Sequence, residues 1–298
     1  MSTVSLPPDS PAGPGSPIAA SRTGARSSPA VGTRLDLTPA RHNAVYWALS
    51  DIWQLTRRSL LHVRRDPDQL VSVTVQPLIL VILFRYLFGG AINTDDGQSY
   101  INFLMAGIFI ETSALTATTT STSVALDLKS GAIDRFRSLP MHASAVVAGH
   151  VLADLARSLI GMAAMVAIGL AVGFRPHAGV LGWLGAVGLT LLVTFSLSWI
   201  SACLGMLGSS PEAVQQFGIV LILPIFLSSA FVPTQTMPGW LRVVADNQPM
   251  THAVDAVRAL LLGQPADGHI QATLIWFFAL FLAAFLVSRV LFGRRTSR

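Results

Sequence analysis

The sequence predicts an all-α membrane protein with six transmembrane helices, and three observations carry that reading. Of 298 residues, 52% are hydrophobic and only 12% are charged, about half the charge that covers an ordinary soluble domain. Six apolar runs follow one another, at about 70–88, 101–124, 145–172, 180–207, 214–232 and 270–292. At a rise of about 1.5 Å per residue, roughly 20 residues cross the hydrocarbon. None of the runs alternates residue by residue as a membrane β-barrel strand must. The 20 Lys and Arg against 15 Asp and Glu are spread between the runs instead of gathered into a patch, so nucleic acid is not an expected partner. The single cysteine, Cys203, excludes an intrachain disulfide and a cysteine-based zinc site.

Residues 1–45 hold seven of the 17 prolines, with much Ser and Gly and almost no large apolar side chains. Such a composition cannot offset its ordering entropy, and we expect a disordered cytoplasmic tail. It has no apolar h-region, so it does not read as a signal peptide. Residues 46–66 read as an amphipathic helix lying on the membrane, with Trp53 at headgroup depth and Arg57, Arg58, Arg64 and Arg65 near anionic lipid. The transmembrane domain then occupies 67–298. Its fifth run is short and interrupted by Pro224. Between the fifth and sixth runs, Pro238-Gly239-Trp240-Leu241 looks like a helix start. Pro249 opens a second helical pattern that Gly263 and Pro265 stop. We expect short helices there, at the outer interface or re-entering the membrane.

Lys and Arg placement sets the orientation. One side carries eight arginines before residue 70, then Lys129, Arg135 and Arg137, then Arg289, Arg294, Arg295 and Arg298; the other has only Arg175, Arg242 and Arg258. Both termini are therefore expected in the cytoplasm.

No catalytic constellation is visible. The only lysine, Lys129, precedes Ser130 but follows Leu128 without the glycines of a phosphate-binding loop. The seven histidines show no zinc spacing, so no metal is expected. Charges inside runs are few. Asp154 and Arg157, at i,i+3, read as a structural intramembrane pair near the cytoplasmic end. For Glu111 two readings stand, a contact to transported substrate or a structural hydrogen bond. Nine of the 13 residues from Glu111 to Ser123 are Ser or Thr. These bond to carbonyls one turn back, or face other helices and a wet path instead of lipid. The substrate-path candidates are Glu111, Thr112, Thr116 and Thr119. Gly169-x-x-x-Gly173 is a weak helix-packing motif. The segment 127–141 spaces Ile133, Phe136 and Leu139 as the apolar edge of a short charged helix stopped by Pro140, suited to docking a partner protein.

That segment, above all Ile-Asp-Arg-Phe-Arg-Ser-Leu-Pro-Met at 133–141, resembles the first intracellular loop of type-2 ABC exporter permeases, most nearly the daunorubicin/doxorubicin-resistance permeases of actinobacteria. The stretches Leu227-Ser-Ser-Ala-Phe-Val-Pro, Met237-Pro-Gly-Trp-Leu, Asn247-Gln-Pro-Met-Thr and Ala253-Val-Asp-Ala-Val-Arg-Ala-Leu are similar to that family's outer re-entrant region. Within it fall Pro233, Pro238, Trp240, Asn247, Pro249, Asp255 and Arg258. Many members read Asn-Pro directly, where this chain inserts Gln248. The resemblance spans about 46–292. It implies a dimer of permeases, identical or related, in the plasma membrane. It also implies a separate ATPase subunit that carries ATP and Mg, while this chain binds no cofactor. Residues 46–66 would be the connecting helix. Asp127, Gly131, Ile133, Asp134, Arg135, Phe136, Arg137, Leu139 and Pro140 would form the ATPase-coupling helix. The expected cargo is a small amphipathic molecule, drug-like or lipid-like. The rival readings are a permease for a cell-envelope lipid or glycolipid, and a proton-driven secondary transporter using Glu111 and Asp154.

Overall fold

The computed structural model describes residues 67–89, 99–130, 143–208 and 210–296. The expected tail and the connecting helix, with Trp53, Arg57, Arg58, Arg64 and Arg65, lie outside the described residues. Of the coupling segment 127–141 only 127–130 are described, Asp127 among them; Gly131, Ile133, Asp134, Arg135, Phe136, Arg137, Leu139 and Pro140 lie outside.

Among the described residues every regular element is helical. Helix α1 spans Pro67–Leu83 and runs on as a π-helical stretch, Phe84–Phe88; α2 spans Tyr100–Lys129, α3 Ala143–Val172, α4 Val180–Leu207 and α5 Pro211–Phe226. A single 3₁₀ turn, Thr234–Thr236, precedes α6 (Gly239–Asn247), α7 (Pro249–Leu262) and α8 (His269–Thr296). Helices α2, α3, α4 and α8 contain windows long and apolar enough to cross a membrane, while α1 and α5 contribute shorter apolar stretches, Val75–Leu87 and Glu212–Phe226.

The layering is inverted relative to a protein in water. Helix α2 is the least apolar of the four long helices, yet 83% of its central window is buried; α8 is the most apolar, and only 17% of its window is buried. Ile275, Phe278, Leu282, Leu286 and Val290 stand exposed along α8. A soluble monomer does not tolerate an apolar surface of that extent, so hydrocarbon is its natural solvent.

Small residues let α2 sit at the centre. A Cβ on Gly205 of α4 would run into the Ser121 carbonyl oxygen, and one on Gly107 into the Ala230 carbonyl oxygen. Backbones in such contact are the membrane route to tight packing. Helix α4 is pinned to α8 by Ser196 Oγ donating to the Phe277 carbonyl (2.9 Å), by Cys203 Sγ against the Ala284 carbonyl (3.2 Å), and by Trp199 edge-on to Phe281 and Phe285.

The helix ends follow local chemistry. Ser210 caps α5 by accepting from the Ala213 N–H (3.2 Å), and Pro211 fills the first turn, where no N–H is missed. Helix α5 stops at Phe226 and does not extend over the apolar run to 232. Pro224 lies inside the helix, which runs on through it to Phe226, and the chain then passes into turns at 227–231. The two short helices α6 and α7 begin where Pro238 and Pro249 place them, and Gly263 (φ +68°) ends α7 with its N–H on the Ala259 carbonyl. The glycine pair in α3 divides its work. Gly169 packs on Met105, whereas Gly173 (φ +109°) meets no neighbour and caps the helix. There the Phe174 N–H returns to the Gly169 carbonyl (2.8 Å) and the Gly173 N–H to the Leu170 carbonyl (3.4 Å).

Candidate functional site

A cleft of about 450 Å³ opens between α1, α2 and α5, within the size range of small-molecule sites. Its polar wall is Gln76 of α1, Thr118, Thr119, Thr122 and Ser123 of α2, and Gln215 of α5; its apolar wall is Leu115, Leu126, Ile219 and Ile222, and Gly218 lies between. A mixed wall of this kind suits a molecule with both faces. Of the four substrate-path candidates, only Thr119 lines the cleft. Thr112 and Thr116 are buried and donate one turn back to the Ile108 and Thr112 carbonyls, each at 2.8 Å. Glu111 is fully buried with no hydrogen-bond partner for either carboxylate oxygen. Sequence reasoning missed Gln76 and Gln215. Each is a long amide in an apolar helix, which was the available signal.

Beside the cleft lies a buried polar hub. Asp154 is 0% exposed, and Arg157, 5% exposed, donates to its Oδ1. Thr120 donates to Oδ2 from α2, Ser198 donates to Oδ2 from α4 (2.7 Å), and Thr119 donates to Oδ1 (3.3 Å). One carboxylate thereby joins α2, α3 and α4, and Thr119 belongs to both the hub and the cleft wall. A buried charge is tolerated when it is paired and its remaining lone pairs are satisfied, and Asp154 meets both conditions.

At the end of the molecule carrying the α2 N-terminus, Arg258 and Asp255 of α7 form a second node. The Arg258 Nη1 donates to Asp255 Oδ1 (2.5 Å), Nη2 to the Ser229 carbonyl (2.6 Å) and Nε to the Phe103 carbonyl (3.1 Å). Its guanidinium lies 3.7 Å from the Phe103 ring centroid, a cation–π contact. Ser229 Oγ donates to Asp255 Oδ1 (2.7 Å), and the Tyr100 hydroxyl donates to the Phe231 carbonyl (2.8 Å). One arginine thus binds α7 to α2 and to the chain after α5. Around it, Pro233 is buried, Pro238 and Trp240 are exposed, and the Asn247 amide closes α6 on the Val243 carbonyl (2.8 Å). Gln248 is extended and serves as the junction of α6 with α7, because the residue before Pro249 avoids helical geometry. His252 and His269 face each other here. Burial and the neighbouring His269 hold the His252 imidazole below the usual histidine range.

At the opposite end, Asp127 of the last α2 turn meets His150 Nε2 of α3 at 2.9 Å. Lys129 lies within electrostatic reach of Glu212 at the start of α5, which sets those ends on one face.

Comparison with known proteins matches residues 50–262 to the ABC-2 type transporter family. A daunorubicin resistance ABC transporter permease protein of Streptomyces coeruleorubidus is 38% identical over 226 residues, 76% of this chain and 78% of that one. A probable doxorubicin resistance ABC transporter permease protein of Mycobacterium tuberculosis is 24% identical over 246 residues, 80% and 86% of the two chains. Nodulation protein J of Rhizobium meliloti is 31% identical over 195 residues, 63% and 72%.

Proposed function

The chain belongs to the ABC-2 type transporter family, and from that premise we propose that it is the transmembrane permease subunit of an ATP-driven exporter. The exporter moves small amphipathic molecules, drug-like or lipid-like, outward across the plasma membrane. Residues 1–45 form a cytoplasmic tail, 46–66 a connecting helix on the membrane surface, and 67–298 the transmembrane domain. Six spans are α1, α2, α3, α4, α5 and α8, with both termini inside and α6 and α7 at the outer face. A separate ATPase subunit supplies ATP and Mg and docks on 127–141, with Ile133, Phe136 and Leu139 as apolar anchors and Asp134, Arg135 and Arg137 as rim contacts. A second permease, identical or related, completes the transporter.

The observation that carries this reading is the cleft of α1, α2 and α5, half hydroxyl and amide and half aliphatic, in a chain whose matched relatives include permeases named for daunorubicin and doxorubicin resistance. Motion of the docking segment reaches this cleft directly, because α2 both lines it and runs into that segment at Lys129. Phe136→Ala tests the docking step. The variant inserts normally but no longer raises the ATPase activity of the partner subunit. Unchanged stimulation and export in that variant would remove the docking role.

A further inference from the structure

We propose that His252 and His269 form an open two-histidine site for a divalent transition metal of the zinc or copper type, bridging α7 to the start of α8. The two rings come from different elements, His252 from the first turn of α7 and His269 as the first residue of α8. Their Nδ1 atoms face each other at 3.1 Å, with ring centroids 5.3 Å apart and 40° between the planes. Both residues are partly exposed, so a hydrated ion reaches them from solvent.

The spacing is that of two ligands on one metal. Metal–imidazole bonds are about 2.0–2.1 Å; two of them at a tetrahedral angle set the nitrogens about 3.3–3.4 Å apart, and at a right angle about 2.9 Å. The observed separation falls between these values, so binding an ion requires movements of a few tenths of an ångström. Without metal, one Nδ1 donates a hydrogen bond and the other accepts it. Ligation needs only that the donor ring carry its proton on Nε2 instead, leaving two neutral imidazoles.

The carboxylates acting on His252 are Asp246 of α6 and Asp255 of α7. Asp255 is committed to Arg258 and Ser229. Asp246 holds Arg242 through a 3.4 Å contact between half-exposed side chains. Both add negative potential that favours a cation without supplying a ligand here. No group of three or more His, Cys, Asp or Glu side chains gathers among the described residues, so water completes the coordination. Imidazole donors select zinc, copper or nickel over magnesium and calcium, which take oxygen. The consequence is mechanical: a bound ion cross-links α7, and through Arg258 the start of α2, to the last helix.

The test uses the full chain, purified without a polyhistidine tag, and Zn²⁺, Cu²⁺ and Mg²⁺ alone as probes. Calorimetry should find one saturable Zn²⁺ per chain and no Mg²⁺ binding. The affinity for Zn²⁺ should fall at least about tenfold in both His252→Asn and His269→Asn; asparagine keeps a hydrogen-bonding group in the hairpin. Electron paramagnetic resonance of Cu²⁺ on the unsubstituted chain, which does not depend on any variant folding, should show two nitrogen ligands. No Zn²⁺ binding, equal binding by both variants, or a copper spectrum with fewer than two nitrogens overturns the proposal.

Discussion

Replacing Asp154 by alanine strips the buried Arg157 guanidinium of its counter-ion. Asp154 is 0% exposed and Arg157 5%, so water cannot substitute. Removing one partner of such a pair costs about 3–5 kcal/mol. The Thr120 and Ser198 hydroxyls lose their acceptor as well, but hydrogen bonds between membrane helices average only about 0.6 kcal/mol each. The unpaired cation therefore dominates, and about 4 kcal/mol lowers the folded-to-unfolded ratio by roughly three powers of ten. Asp154→Leu combined with Arg157→Met should recover most of the loss, because an apolar pair of similar volume removes both charges together. Reversible unfolding of the detergent-purified unsubstituted chain and of the two variants in increasing SDS measures this. If Asp154→Ala stays within about 0.5 kcal/mol of the unsubstituted chain, or if the double variant is no more stable than the single, the hub is not structural as described.

Three further outcomes follow from the packing and charges. Gly205→Ala should destabilise by about 1–3 kcal/mol, because its Cβ meets the Ser121 backbone, whereas Gly188→Ala on the same helix meets nothing and should gain up to about 1 kcal/mol from helix propensity; melting temperatures of the two variants decide it. Glu111→Met removes a fully buried, unpartnered carboxylate and should leave the chain as stable or more stable by about 1–3 kcal/mol. Loss of export with stability intact would assign Glu111 to the substrate path. The His252 imidazole takes up a proton less readily folded than unfolded. Its stabilising contribution is therefore full above pH of about 6.5 and lost as the pH falls below that. Amide exchange across Pro249–Leu262, corrected for intrinsic rates, should accelerate between pH 7.5 and 5.5.

Much of the helix layout was legible because its signals are local. Helix α4 begins and ends where Gly179 and Gly208 bound the apolar run, and α6 and α7 start at their prolines. Helix α5 fell short of the apolar run at 214–232 because hydropathy marks apolar residues and not where the backbone turns, and the run continues through the turns at 227–231. The glycine pair of α3 misled in part: at a helix end the same residue serves as a left-handed cap, and spacing alone does not separate the roles. The pairing of Asp154 with Arg157 was readable because both sit on one helix face. Thr120 and Ser198 were not, since spacing within a helix says nothing of which helices meet. Glu111 and Thr119 stood out equally in sequence. Glu111 even shares the α2 face of Leu115, Thr118 and Thr122, which line the cleft; it lies nearer the α2 N-terminus, where the packed helices bury it, and depth along a helix in the fold is not written in its spacing.

Transport driven through the chain's own complex tests the central claim most directly. Inverted membrane vesicles holding this permease with its ATPase partner are given a fluorescent amphipathic cation or a labelled lipid. Uptake should require hydrolysable ATP, survive a proton uncoupler, and fail in vesicles lacking either subunit. Uptake that proceeds without ATP and collapses with the uncoupler would contradict the account and place the chain among proton-driven carriers.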